Sequence, residues 1–389
     1  MDMKKLKIGL FMDDFYPSMN GVIEVMDNQA KELIKLGHEV VVVVPTIDKN
    51  YKDDFPYKVI RIPSIPIKNL IYKAAICKMN KPLKNKLLKE NFDIIHIHSP
   101  FLVGSFGVKI AKKLKIPVVG TMHTQFEDDI KKFVKLDIIV KKVIKQVCKV
   151  YDSTNMNYAV NNATVGVYKK YGVKSKIKIM LSGTDFRPLD KKEEKQAIDL
   201  VNKKLNLHKN DLVFSFVGRL TTVKNIPFLI DSLSYIKEKG IKFKMLFVGP
   251  FEDEELIRNY VTEKNLDNEI IYVGKVTDRE YLKKIYKRSK LFLFPSLYDT
   301  NSLVQKEAAS QKIPTVFIKG AVTADLVTDK INGFLADNDY KKYGDLVIKI
   351  LNNDKLYKKV SEGAFNDLYI HWEELAKDLE NEYDKLIQK

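Results

Sequence analysis

In the stretch FPSLYDTNSLVQKEAASQKIPTVF, residues 294–317, Asp299 stands just past an apolar run, and Glu307 follows after seven intervening residues, inside an alanine-rich segment of helical character. A strand handing over to a helix here would set both acids at the edge where open α/β sheets bind ligands. The start of that helix would offer the backbone amides of Asn301, Ser302 and Leu303 to phosphate or sugar oxygens. Glu307 could then accept from both hydroxyls of a ribose, and Asp299 from a sugar hydroxyl. The plainer alternative makes Asp299 an N-cap and Glu307 a solvated helix residue. A second stretch, VGRLTTVKN, ends an apolar run at Gly218, where the backbone can approach a ligand closely, and supplies Arg219 and Lys224 before the next helix. Two cations beside a helix N-terminus suit a diphosphate. Taken alone, they read as readily as surface residues.

These residues need a scaffold of parallel strands, and the chain has the rhythm for two. Strand-like runs at 7–12, 39–45, 93–98 and 116–123 alternate with helical patterns such as VIEVMDNQAKELIKLG, whose Val22, Val25, Met26, Ala30, Leu33 and Ile34 share a face and whose Gly37 suits a C-terminal cap. After the lysine-rich stretch RPLDKKEEKQAIDLVNKKLNLHKND the pattern begins again, at 212–220, 243–250, 291–296 and 313–320. Such repeats predict βαβ units in two doubly wound α/β domains facing a central cleft, residues 1–190 and 191–371. A cleft of that kind can hold two substrates. The terminal pattern YIHWEELAKDLENEYDKLIQK contains the single tryptophan, Trp372, and predicts a last helix over about 372–389.

Charge separates the halves. Residues 1–190 hold 33 lysines and arginines against 19 acids, an excess of 14 out of the chain's net +17. An excess confined to one domain points to a polyanion or an anionic membrane. The segments 68–89 and 131–149 interleave lysines with Leu, Ile, Val and Met in the manner of interfacial helices. Core-packing helices with solvated lysine faces are the alternative. A nucleic acid is disfavoured, because few aromatics interleave with the basic residues. No run approaches the roughly 18 apolar residues of a membrane span, and the N-terminal apolar run breaks at Asp13 and Asp14, so the expected location is cytoplasmic, at the inner membrane face. Cys77 and Cys148 have neither disulfide nor metal-ligand spacing and read as small buried side chains. Asp337 and Asp339 read as a polar turn. His96 and His98 are taken to point to opposite faces of a strand, so that they share no metal.

Taken together, VGRL with Lys224 five residues after Arg219, FPSLYDTNSLVQKEAAS followed by IPTVF, the later NGFLADN and the early PSMNGVIEVMDNQAKELIKLGHEVVVVVP resemble glycosyltransferase family 4. The resemblance covers nearly the whole chain. It implies a GT-B fold of two Rossmann-like domains, with the last helix returning to the first, and a retaining enzyme that uses a nucleotide-sugar donor. By it, Arg219 and Lys224 hold the donor diphosphate, Glu307 holds the ribose, and His123 in TMHTQFEDD lies beside the transferred sugar. Gly21, in the first strand-to-helix loop, leaves room for donor phosphates and acceptor. The sequence departs from the family pattern in having Asp299 where glutamate is usual, Thr300-Asn301-Ser302 in place of a glycine-rich turn, Asn20-Gly21 for two glycines, and Ser182-Gly183-Thr184-Asp185 for an Asn-Gly turn.

The implied chemistry is transfer of a hexose, glucose foremost, from a UDP-sugar without a catalytic metal or other cofactor. The leaving phosphate oxygen would take the acceptor's proton while the cations and helix amides steady the growing charge. The basic first domain favours a membrane lipid such as diacylglycerol as acceptor. A surface polysaccharide or soluble glycan is the alternative within the class, and a non-catalytic nucleotide-sugar-binding protein is the alternative outside it.

Overall fold

The computed structural model describes residues 4–18, 20–66, 73–77, 81–134, 136–297, 299–300 and 302–388. By internal contacts the chain divides into two compact units, Met1–Ser182 with Trp372–Lys389, and Gly183–His371. The lysine-rich stretch on which the sequence reading centred its boundary is helix Lys191–Leu205 of the second unit. A capping box starts that helix: Asp190 accepts from the Lys192 and Glu193 amides, and Glu193 returns a bond from the Asp190 amide.

The first unit is built on a seven-stranded sheet in the order Lys58–Ile62, Glu39–Pro45, Lys7–Phe11, Ile94–Ile97, Val118–Met122, Met156–Ala159, Ile177–Ile179. All neighbours in it are parallel. The strand EVVVVVP shows why: five β-branched residues in succession favour an extended chain covered on both faces. Val41 and Val43 enter one apolar core with Ile95, Ile97 and Val103. Val40, Val42 and Val44 enter a second core with Ile23, Met26, Ala30 and Leu33 of helix Gly21–Lys35 and with Leu379 and Tyr383 of helix Trp372–Ile387. Each fully buried valine contributes about 1.5–3 kcal/mol relative to exposure. The last helix is also fastened by polar contacts, His38 Nε2 to Glu380 at 2.8 Å and His96 Nδ1 to the Tyr383 hydroxyl at 2.6 Å.

The second unit has six parallel strands in the order Ile270–Gly274, Lys244–Val248, Val213–Val217, Leu291–Phe294, Thr315–Ile318, Phe334–Ala336. In both units the first strand lies inside the sheet and the chain later resumes on its other side. Each sheet therefore has a switch point, between Lys7–Phe11 and Ile94–Ile97 in the first and between Val213–Val217 and Leu291–Phe294 in the second, where ligand crevices form.

The lysine-rich segments do not both behave as interfacial helices. Of 68–89, residues 68–72 and 78–80 lie outside the described residues; Lys73–Ala75 is a short strand, and helix Lys81–Leu88 turns Leu83 and Leu87 into the core. An apolar face already buried in protein has nothing left for lipid. In the second segment, helix Asp137–Tyr151 buries Val140, Ile144 and Val147, yet Leu136, Ile138 and Ile139 at its start are 62%, 77% and 42% exposed. Lys141, Lys142, Lys145 and Lys149 of the same helix are exposed. Lys135 lies outside the described residues.

Candidate active site

The acids and cations singled out above follow strands Val213–Val217 and Leu291–Phe294, the two that flank the second unit's switch point, and among the described residues Lys224 and Asp299 are the two of them in contact. Gly218 follows strand Val213–Val217 with φ +151°, a conformation that favours glycine, and its amide bonds the Val248 carbonyl at 2.9 Å. The neighbouring strand, Lys244–Val248, is followed by Gly249, where a Cβ would lie 1.9 Å from the Gly218 carbonyl oxygen. The two strand ends thus stay close because Gly249 lacks a side chain. Arg219, beyond Gly218, reaches outward to Glu252, Nη1 donating at 2.9 and 3.2 Å. Lys224 closes the short turn Thr222–Lys224 ahead of helix Ile226–Glu238. Its ammonium group is bound to Asp299 Oδ1, while Ser296 Oγ donates to Asp299 Oδ2 at 2.8 Å. Arg219 and Lys224 therefore each stand against a carboxylate.

Asp299 is not the N-cap of the following helix, Leu303–Ser310; Ser302 is. Ser302 makes no capping bond with its side chain, and its buried Oγ has no hydrogen-bond partner among the described residues. The Leu303 amide opens the helix. Asn301 lies outside the described residues.

Glu307 is 3% exposed, which excludes a solvated helix residue. Its Oε1 is 2.7 Å from Arg279 Nη2, and its Oε2 accepts from the Tyr286 hydroxyl at 2.8 Å. Arg279 also donates from Nε to Asp185 Oδ2 at 3.1 Å and from Nη2 to Asp185 Oδ1, with its guanidinium 4.3 Å from the centre of the Phe186 ring. Burial would lower the Arg279 pKa, but Glu307 and Asp185 override it and raise it. Burial would likewise raise the Asp185 carboxyl, yet Arg279 holds it below its usual range. The sequence reading missed Arg279 and Tyr286. A signal was present for the first: Arg279 opens a helix, capped by Asp278, at the end where the macrodipole disfavours a cation.

In the first unit, His123 follows strand Val118–Met122 and is 6% exposed. Its Nε2 lies 3.2 Å from His98 Nδ1, and the rings stack at 5.4 Å. His98 in turn stacks on His96 at 4.3 Å, and His96 is held by Tyr383 and by Thr121 Oγ1 at 2.6 Å. The expectation of opposite faces for His96 and His98 is thereby overturned. Strand side chains alternate with a period of two, so residues two apart share a face. Burial pushes His96 and His123 down to about 3 and His98 well below its ordinary value, so all three imidazoles are neutral near neutral pH. Among the described residues, no three His, Cys, Asp or Glu side chains are grouped to hold a metal ion.

Gly21, exposed, is the first residue of its helix, capped by Asn20, whose Oδ1 accepts from the Val22 and Ile23 amides and whose Nδ2 donates to Asp14 at 2.9 Å. At the switch point beside it, Asp13 accepts from the Val103 and Gly104 amides and from Ser99 Oγ, satisfying the start of helix Leu102–Leu114. Gly104 is required there, since a Cβ would lie 1.7 Å from the Ser99 carbonyl oxygen.

Two family descriptions match the chain in succession: Glycosyltransferase Family 4 over residues 19–187 and Glycosyl transferases group 1 over residues 197–367. The chain is 26% identical to the alpha-monoglucosyldiacylglycerol synthase of Acholeplasma laidlawii over 99% of its own length and 98% of that protein's. It is 24% identical to the alpha-monoglucosyldiacylglycerol synthase of Streptococcus pneumoniae over 88% and 78% of the two chains. In fold it is similar to Anabaena HepE, solved with UDP and glucose, at a TM-score of 0.75 and 15% identity over 98% of this chain and all of that one. Two parallel α/β sheets with paired switch points, and two family matches that follow one another along the sequence, identify the chain as a glycosyltransferase of family 4 with the GT-B fold.

Proposed function

We propose that the chain transfers glucose from UDP-glucose, with retention of configuration, to a membrane lipid such as diacylglycerol. Arg219 and Lys224 take the donor diphosphate, with the amides at the start of helix Leu303–Ser310 beside them, and so stabilise charge that grows on the leaving phosphate. Gly218 lets the backbone come close, Asp299 accepts from a sugar hydroxyl, the Ser302 hydroxyl donates to a phosphate oxygen, and Glu307 accepts from the ribose hydroxyls. His123, a neutral imidazole, orients the glucose, and Gly21 leaves space for the acceptor. The acceptor hydroxyl attacks from the side on which the diphosphate departs and gives its proton to the departing phosphate oxygen, with no metal ion needed. HepE was solved with UDP and glucose, which supports the choice of donor.

The observation that carries the lipid acceptor is the start of helix Asp137–Tyr151. Leu136, Ile138 and Ile139 are exposed there on the helix that also exposes Lys141, Lys142, Lys145 and Lys149, within the strongly basic part of the chain. Apolar side chains entering a headgroup boundary, with about 1 kcal/mol from each lysine near an anionic surface, attach a protein peripherally without a spanning helix. No helix among the described residues is long and apolar enough to cross a membrane. The two synthases named above, by their names makers of glucosyldiacylglycerol, support the same acceptor.

Incubation with radiolabelled UDP-glucose, UDP-galactose and UDP-N-acetylglucosamine and a membrane extract, each with and without chelator, tests this reading. Label from UDP-glucose should pass into the organic phase at the same rate with chelator present. Label in water-soluble glycan would transfer the function to polysaccharide synthesis, and absence of turnover with intact UDP binding would make the chain a binding protein.

A further inference from the structure

Glu307 sits at the end of a chain of contacts that no reading of its helix alone accounts for. An ionised carboxylate offers about four lone-pair positions. Arg279 takes one on Oε1 and Tyr286 one on Oε2, which leaves one on each oxygen. Two remaining acceptors, one per oxygen, match two neighbouring hydroxyls. Which way those acceptors face depends on Arg279, and Arg279 is itself fixed three ways: forked against both oxygens of Asp185, laid over the Phe186 ring, and bound to Glu307. Asp185 and Phe186 follow directly on Thr184, which is anchored by its amide to the Ile370 carbonyl at 3.0 Å. The guanidinium thus joins the first residues of the second unit to the helix that carries Glu307. A lysine could not replace it, because one ammonium group cannot fork one carboxylate, reach another and lie flat on a ring.

We propose that Arg279 is the positioning residue of the ribose site, fixing the Glu307 carboxylate so that its two free acceptor positions face the 2′- and 3′-hydroxyls of the donor's ribose. This rests on the reading of Glu307 given above. Arg279 does not touch the donor. It acts by orientation, and its loss should be felt in how well the protein tells ribose from deoxyribose.

The test compares UDP with 2′-deoxy-UDP by titration calorimetry in the unaltered protein, in Arg279→Met and in Arg279→Lys, with thermal unfolding of each as a control. A hydrogen bond to a charged acceptor is worth about 1.5–3 kcal/mol, so the unaltered protein should prefer UDP by about ten- to a hundredfold. In Arg279→Met that preference should collapse toward unity, with Arg279→Lys close behind, although UDP still binds through its diphosphate. A variant that was merely less stable would weaken both nucleotides alike and keep the preference. Should Arg279→Met fail to fold, Asp185→Asn serves instead: it unfastens the guanidinium while leaving its charge beside Glu307, and the preference should again shrink. Folded variants that keep the full preference for UDP would overturn the role of Arg279 while leaving Glu307 on the ribose. Equal binding of the two nucleotides by the unaltered protein would remove the ribose from Glu307, and this proposal with it.

Discussion

Removing Lys224 should reveal its pairing with Asp299 as much as its service to the donor. In the structure the ammonium group and the Asp299 carboxylate are in direct contact, with side chains only 12% and 22% exposed. Lys224→Met keeps most of the stem and deletes the charge. Loss of one preorganised group at a developing negative charge costs about a hundred- to a thousandfold in kcat. The substitution has a second consequence. Asp299, left with the Ser296 hydroxyl as its one partner among the described residues, now presents an unneutralised carboxylate to a diphosphate, and two unit charges about 4 Å apart repel by about 4 kcal/mol at the dielectric of a protein surface. Solvent screening at this partly exposed site reduces that figure, and we expect about tenfold of the loss in kcat/KM to come from it. Asp299→Asn alone should also slow transfer, through loss of the sugar contact proposed for it. The double variant, however, should be no worse than Lys224→Met, because removing the acid also removes the repulsion. Initial rates of UDP-glucose turnover across the four proteins give the coupling directly. If the two losses simply multiply in the double variant, the side chains act independently and the pair has no functional meaning.

Glu307→Gln should weaken UDP binding by about tenfold or more, as the charge-assisted bonds proposed to the ribose are replaced by weaker ones; calorimetry showing parental affinity would contradict this. Binding to vesicles should rise with anionic lipid, fall with salt and weaken when Lys141, Lys142 and Lys145 become glutamate, each lysine contributing about 1 kcal/mol; equal partition onto neutral vesicles would remove the lipid acceptor from first place. Acid stability should report the buried histidines. Their folded pKa values, about 3 for His96 and His123, lie below the ordinary 6.5, so the unfolded chain takes up protons first as pH falls. The stability that the neutral rings contribute is complete above pH 6.5 and is lost as pH falls toward about 3. Denaturant unfolding from pH 7 downward should show that loss, with a shallower slope in His123→Asn; identical slopes would mean that His123 is not buried neutral.

Much of the architecture was legible because it depends on local pattern. Runs such as EVVVVVP and LFLF cannot be covered except between two layers, and their alternation with amphipathic helices implies parallel sheets. Edge strands were not legible. KVIRI at Lys58–Ile62 and IKI at Ile177–Ile179 are short and cationic, and each is a strand only because a neighbour offers it a hydrogen-bonding edge. The acids and cations of the site were found as residues but not as pairs. Lys224 meets Asp299 across 75 positions, and Arg219 meets Glu252 across 33, distances over which spacing carries no information. Arg279 was missed for the same reason, its partners Asp185 and Glu307 being brought to it only by the folded sheet. Within 68–89, helix Lys81–Leu88 turns Leu83 and Leu87 to the core where lipid was expected, since an amphipathic face looks the same in sequence whether it meets lipid or core.

Retaining glucosyl transfer to a lipid makes a product of defined stereochemistry, and the proton NMR spectrum of that product is the most direct test. After incubation of the protein with UDP-α-glucose and diacylglycerol in anionic vesicles, the organic-soluble product should show a single glucose with the small anomeric coupling of an α linkage. A β-linked glucolipid would contradict same-face attack, and an organic phase without glucose, alongside hydrolysed or intact donor in the water, would contradict the lipid acceptor.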